Sequence, residues 1–191
     1  MKLQLPKTKF INLLIVALVF SLSVQGQQFV PAAKGSKAVF KIASHREGEE
    51  VIKGMFTGFK GSITFDPNNL ATAAFDITVS VSSINTGLAE RNNVLKKLPF
   101  FNLAKYPLIH IKSVNVTQDM PGSAVYTLHG NLTVNGITNP VNLQFMATPN
   151  EGAYLFRGSL ELSRKAFNVG NSSELIEDHV SVFIEVRTTR K

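Results

Sequence analysis

Imidazoles, carboxylates and hydroxyls are the groups in this chain that could do chemistry, and their spacing decides whether they do. The four histidines, His45, His110, His129 and His179, stand far apart, without the paired spacing of a zinc site. Asp66 with Asp76, or Glu174 with Glu177 and Asp178, are the carboxylates near enough in sequence to act as acid and base. Both groups fall at turns or on polar strand faces, where solvation accounts for them. No Gly-x-Ser-x-Gly elbow presents a serine nucleophile. There is no cysteine, hence no disulfide and no thiol chemistry. The residues point to no catalytic centre, no metal and no cofactor.

The elements that would position such groups are mostly strands. Ala38, Phe40 and Ile42 alternate with Val39 and Lys41, the period-two signature of a strand. Val51–Phe56 and Gly61–Phe65 follow, closed by the turn Asp66-Pro67-Asn68-Asn69. Over Ala71–Ser83, Phe75, Ile77, Val79 and Val81 lie on one face and polar residues on the other. That half-wet pattern belongs to an antiparallel sheet with one buried face. Leu108–Val116, Val125–Val134, Ile137–Ala147, Ala153–Leu162 and Val180–Val186 continue the series. Asn135-Gly136 between two of them predicts a type I′ hairpin. Gln27–Lys37, with Pro31 and Gly35, reads as a lead-in. The sum is an all-β chain of about eight strands, a barrel or a sandwich.

Ser82–Ile111 breaks the pattern. Leu88, Arg91, Val94 and Leu95 recur at helical spacing and predict a short helix within Leu88–Lys97, capped by Asn85 or Thr86 and limited by Pro99. Phe100-Phe101 follows on a predicted loop, and Tyr106-Pro107 stops the segment.

This order, Ser83-Ile84-Asn85-Thr86-Gly87, Arg91, Leu95-Lys96, Phe100-Phe101 and Lys105-Tyr106-Pro107, resembles the YceI-like family of polyisoprenoid-binding periplasmic proteins. Phe40, Ser44-His45, Gly54, Phe56, Phe59, Gly61 and Phe65-Asp66 match the family's opening pattern. Gly130-Asn131-Leu132-Thr133, Gly136-Ile137-Thr138 and Pro140-Val141 match its later part. Arg164 to Gly170 resembles its Arg-x-x-Phe-Gly-x-Gly signature, with Asn168 in place of the first glycine. A second departure is Arg91-Asn92-Asn93-Val94-Leu95, where the family reads Arg-Asp-x-His-Leu. The resemblance implies a lipocalin-like antiparallel β-barrel with one short helix between strands, enclosing a long apolar chain.

Met1–Lys9 is basic, Phe10–Val24 is apolar and Gly26 is small. Together they predict a cleaved export signal over residues 1–26, leaving a single domain over 27–191 in the periplasm or secreted. Without the three leader lysines the formal charge falls from +7 to +4, 17 basic against 13 acidic residues. So modest and dispersed a surplus excludes a nucleic-acid module. The doublets Lys96-Lys97 and Arg164-Lys165 suit solvated faces or weak contact with an anionic membrane surface.

Fourteen Phe and no Trp, among many Val, Ala and Ile, suit an apolar tunnel as well as a packed core. The positions assigned to a ligand-contacting lining are Phe75, Ile77, Val79, Val81, Leu95, Phe100, Phe101, Ile109, Ile111, Leu132, Leu143, Phe145, Phe156, Val182 and Ile184. Adjacent side chains in an extended segment diverge. At most one of Phe100 and Phe101 is therefore expected to pack beneath the helix, leaving the other free to face a tunnel mouth, the alternative being that both rings plug the end of a closed core. The favoured partner is a polyisoprenoid, an isoprenoid quinone or a similar lipid, carried or stored. An enzyme acting on such a lipid, and a filled barrel acting through its surface, stay open, as do monomer and homodimer.

Overall fold

The computed structural model describes residues 27–171 and 173–191; the export signal read over 1–26 lies outside the described residues. Ten antiparallel strands form one sheet. They are β1 (Gln28–Pro31), β2 (Lys37–Arg46), β3 (Glu49–Phe56), β4 (Phe59–Thr64), β5 (Ala74–Ser80), β6 (Leu108–Gln118), β7 (Val125–Val134), β8 (Ile137–Asn150), β9 (Ala153–Ser163) and β10 (Ile176–Arg190). One helix, α1 (Ala89–Leu95), interrupts the series between β5 and β6.

Eight strands, β1-β4-β5-β6-β7-β8-β9-β10, close into a barrel through the β1–β10 pairing. The remaining two, β2 and β3, form a hairpin on the first part of β10. The long strand β10 thus serves two neighbours, β2 against Ile176–Glu185 and β1 against Thr188–Arg190. The free edge of β3 makes one backbone bridge to the rest of the barrel, Met55 to Asn85.

Alternation is what makes the barrel. Phe75, Ile77 and Val79 of β5 are buried, and so is Val81, although the strand ends at Ser80 and Val81–Ser83 is a 3₁₀ turn. Asn135 and Gly136 both have positive φ, 51° and 74°, as a type I′ turn requires. Asn168 adopts φ 54° in the place of the family's glycine, so the turn survives the substitution.

Four readings are corrected. The lead-in contains β1, and its Phe29 is fully buried with its ring edge-on to Tyr154. Four residues ending in proline give too little alternation to read as a strand. The helix begins after Leu88 and neither Asn85 nor Thr86 caps it. Instead, Asn92 Oδ1 accepts hydrogen bonds from the Thr86 backbone N–H and hydroxyl, both at 2.8 Å, so the helix braces the loop. Strand β5 is shorter than Ala71–Ser83, with 3₁₀ turns at both ends. Arg164, half of a doublet read as solvated, is buried.

Candidate functional site: an apolar tunnel with one mouth

The barrel is filled at one end and hollow at the other. At the filled end Phe65, almost wholly buried, places its ring against Phe75, Tyr126, Phe145, Tyr154 and Phe156, with centroids 5.2–6.3 Å apart. Edge-on contacts dominate, the arrangement that ring quadrupoles favour. Above this plug the inward side chains are mostly Ile, Val and Leu, with Phe40, Phe56, Phe59, Phe100, Phe101 and Phe167 toward the hairpin and the mouth. They surround a cavity of about 290 Å³, close to the lower end of ligand-sized pockets.

Fourteen of the fifteen positions assigned from sequence line this cavity. Phe75, Ile77 and Val79 come from β5, Ile109 and Ile111 from β6, Leu132 from β7, and Leu143 and Phe145 from β8. Phe156 comes from β9, Val182 and Ile184 from β10, and Leu95, Phe100 and Phe101 from the segment after β5. Val81 is buried in its 3₁₀ turn but does not border the cavity. The β2–β3 hairpin adds Phe40, Ile42, Ile52 and Phe56, which were not assigned although the alternation of Phe40 and Ile42 was visible. The ring of Phe40 lies across Gly54, so close that any Cβ at Gly54 would overlap it. Gly54 therefore keeps Phe40 against the wall.

Phe100 and Phe101 diverge as expected, but both reach the cavity. Phe101 meets Phe56 edge-on at 5.5 Å and its N–H donates to the Leu95 carbonyl at 3.0 Å. Phe100 packs on the side of Phe167 and Val169, its ring against Gly170. Asn135 in the β7–β8 turn donates to the Phe100 carbonyl at 2.6 Å and to that of Asn168 at 3.2 Å, tying this loop to the facing one.

Apart from Arg157, which is more than half exposed and paired with Glu185 on the outer face of β9, polar side chains reach the cavity near the mouth. Arg91 donates through one nitrogen to both oxygens of Glu49, at 2.8 and 3.0 Å, and so joins α1 to the β2–β3 hairpin. Arg46 lies beside it. Arg164 donates all five of its N–H groups to backbone carbonyls, those of Glu177, Val169, Gly170, Ser173 and Ile176. That full satisfaction permits its burial and shapes the loop between β9 and β10 at the mouth. Asp178 completes the corner by accepting from the Lys165 N–H at 2.9 Å and from the Ser163 hydroxyl. The Lys165 hydrogen bond, more than any other group, holds the Asp178 carboxyl below its ordinary pKa. No signal within the Arg164 stretch alone could have shown this, because its acceptors lie up to thirteen residues away.

The other titratable groups are elsewhere. His110 pairs with Asp76 at 2.8 Å between β6 and β5, and His129 bridges Thr117 and Asn142, all of them partly or fully exposed. His45 pairs with Glu177 at 2.7 Å, both half exposed. Among the described residues no three of His, Asp and Glu converge to hold a metal, and no histidine or carboxylate borders the cavity.

Comparison with known proteins agrees with this architecture. The barrel of BcnA from Burkholderia cenocepacia superposes with a TM-score of 0.74 at 23% identity, covering 83% of this chain and 99% of that one. A polyisoprenoid binding domain from Saccharophagus degradans superposes with a TM-score of 0.67 at 14% identity, over 85% and 98%. A UPF0312 protein of Yersinia enterocolitica is 28% identical over 187 residues, 94% of this chain and 96% of its own. One of Yersinia pestis is 31% identical over 159 residues, 78% and 81%. With residues 29–188 matching the YceI-like domain, the chain belongs to the YceI-like family.

Proposed function

We infer that the protein binds one long apolar molecule in its barrel, tail first. It would be an exported carrier or store for a polyisoprenoid, an isoprenoid quinone or a similar lipid. One observation carries the reading: the cavity is walled by aliphatic and aromatic side chains down to an aromatic floor, and its polar neighbours gather near the mouth, except for the outward-paired Arg157. A polar head cannot be buried against Phe75, Phe145 and Phe156 without a partner, which costs a few kcal/mol. The tail must therefore lead. Each methylene taken out of water contributes about 0.8 kcal/mol, so a few isoprene units bind firmly without a charged clamp.

The name of the Saccharophagus domain supports the ligand class. The apolar leader supports export. Catalysis is disfavoured because no carboxylate or imidazole borders the cavity and the guanidinium of Arg164 is spent on backbone carbonyls. Native mass spectrometry of the purified protein tests the reading. A co-purifying apolar molecule, lost on extraction with organic solvent and regained from added polyprenol or quinone, is the expected result. Protein that stays empty and takes up neither would refute it.

A further inference from the structure

Helix α1 is a peculiar element on energetic grounds. Seven residues are too few for a helix to persist in water on propensity alone, and short helices normally survive by burying an apolar face. Yet α1 has no buried residue. It is held by polar tethers, Arg91 to Glu49 and Asn92 to Thr86, and only Leu95 turns partly inward onto the core, leaving the aliphatic groups around it in the open. Val94 is 54% exposed although it also borders the cavity, Leu88 just before the helix is 54% exposed, and Leu98 just after it is 72% exposed. Across the mouth Leu175, 48% exposed, presents a second lip, next to His45 and Ile176. Lys96 and Lys97 stand between Val94 and Leu98, and the exposed Lys105 follows on the same loop.

We propose that this lip, α1 with Leu98 and the lysines that follow, docks on the surface of an anionic bilayer and sets the tunnel mouth against the lipid. The proposal rests on the lipid-binding reading, and the occupant follows from the tunnel. The far end is sealed by the aromatic plug, so a ligand comes and goes through the mouth. A long apolar chain cannot wait in water beside that mouth, and a bilayer is the phase in which it dissolves. Aliphatic residues interleaved with lysines suit the boundary between acyl chains and anionic headgroups. On the α1 side the single acid Glu90 is outnumbered by Lys96, Lys97 and Lys105, and the charges of Arg91 and Glu49 cancel. By contrast Glu47 of the β2–β3 turn, Glu50 at the start of β3, and Glu174 and Glu177 beside Leu175 are acidic. They repel the same surface and tilt the molecule onto its α1 side.

The test uses residues 27–191, which contain every strand of the barrel, floated with phosphatidylethanolamine vesicles with or without phosphatidylglycerol. Binding is expected with phosphatidylglycerol and should weaken as salt rises. Leu98→Asp should weaken it roughly tenfold. Lys96→Gln and Lys97→Gln should each weaken it about fivefold. Met120→Asp is the matched control, because Met120 is 68% exposed in the β6–β7 turn at the opposite end, and it should change nothing. A protein that ignores both vesicles, or loses as much with Met120→Asp as with Leu98→Asp, overturns the proposal. Lipid loading measured on the same samples separates the two readings. Loading without vesicle binding overturns docking and leaves the carrier intact, whereas docking through Leu98 without any loading upholds the surface and removes the carrier.

Discussion

Truncating Phe100 and Phe101 separately tells a tunnel from a packed core. A fully buried phenylalanine cut to alanine costs roughly 3–5 kcal/mol. Both rings here are half-buried and border open space, so about half of that, ~2 kcal/mol, is expected for Phe100→Ala. Phe101→Ala also forfeits the edge-on contact with Phe56, worth about another 0.5–1.5 kcal/mol. In a domain of this size each kcal/mol lowers Tm by about 2–4 °C. The empty protein should then melt some 4–8 °C lower for Phe100→Ala and a few degrees lower again for Phe101→Ala. A ring that covers two methylenes of the bound tail contributes about 1.6 kcal/mol to binding, so each variant should bind a polyprenol roughly fifteenfold more weakly. Calorimetric melting of delipidated protein and titration with a fluorescent polyprenol read the two effects independently. Large losses of stability in both variants, with unchanged affinity, would mean that the rings plug a core and that the mouth lies elsewhere.

Other consequences are sharper in kind than in size. Val79→Asp places a carboxylate on the tunnel wall without a partner and should cost several kcal/mol or abolish loading; normal melting with normal loading would contradict the inward face of β5. Arg164→Lys keeps the charge but cannot serve five carbonyls, so the β9–β10 corner should loosen by about 3 kcal/mol, measured by denaturant unfolding; an unchanged midpoint would deny that corner its role. Gly54→Val should drive Phe40 into the cavity and reduce loading more than any other single change on the β2–β3 hairpin, as native mass spectrometry would show. The Asp178 carboxyl has a lowered pKa in the folded state, so its contribution is present above the ordinary carboxylate range and is lost as pH falls below about 4. Melting against pH should therefore flatten in that window in Asp178→Asn, and parallel curves for the two proteins would reject the assignment.

Period-two alternation made most of the barrel legible, because burial on one face leaves a local imprint on every long strand. Where the determinant was remote, the sequence was mute. Strand β1 is four residues long, and what orders it is the company of Tyr154 and the pairings with β4 and β10. Arg164 looks like any surface arginine until residues 169–177 fold back and offer their carbonyls. The helix could be placed but not its bracing, since Asn92 works as an acceptor toward Thr86 and not as a helix residue in need of a cap. That also explains how Asn serves where the family carries Asp: an amide oxygen accepts those two bonds as a carboxylate would.

Whether the barrel was filled or hollow could not be read from composition, because fourteen phenylalanines suit both. It is written in their order. Along β5 the inward residues run Phe75, Ile77, Val79, along β7 Tyr126, Leu128, Gly130, Leu132, and along β9 Phe156, Gly158, Leu160. On β8, which runs the opposite way, the aromatic comes late: Val141, Leu143, Phe145. Each strand on its own shows only a bulky residue beside smaller ones. Laid antiparallel in register, these four strands put the bulky residue at the same end, where Phe65 closes the ring of aromatics. Strand β4 is ordered the other way, with Phe59 level with Val79 and Ile63 with Phe75. A barrel selected only for a dense core would have no reason to sort its inward side chains by size along its axis. One that must keep a chain-shaped space open above a firm floor does, and the order on these four strands is what the proposed binding of a tail requires.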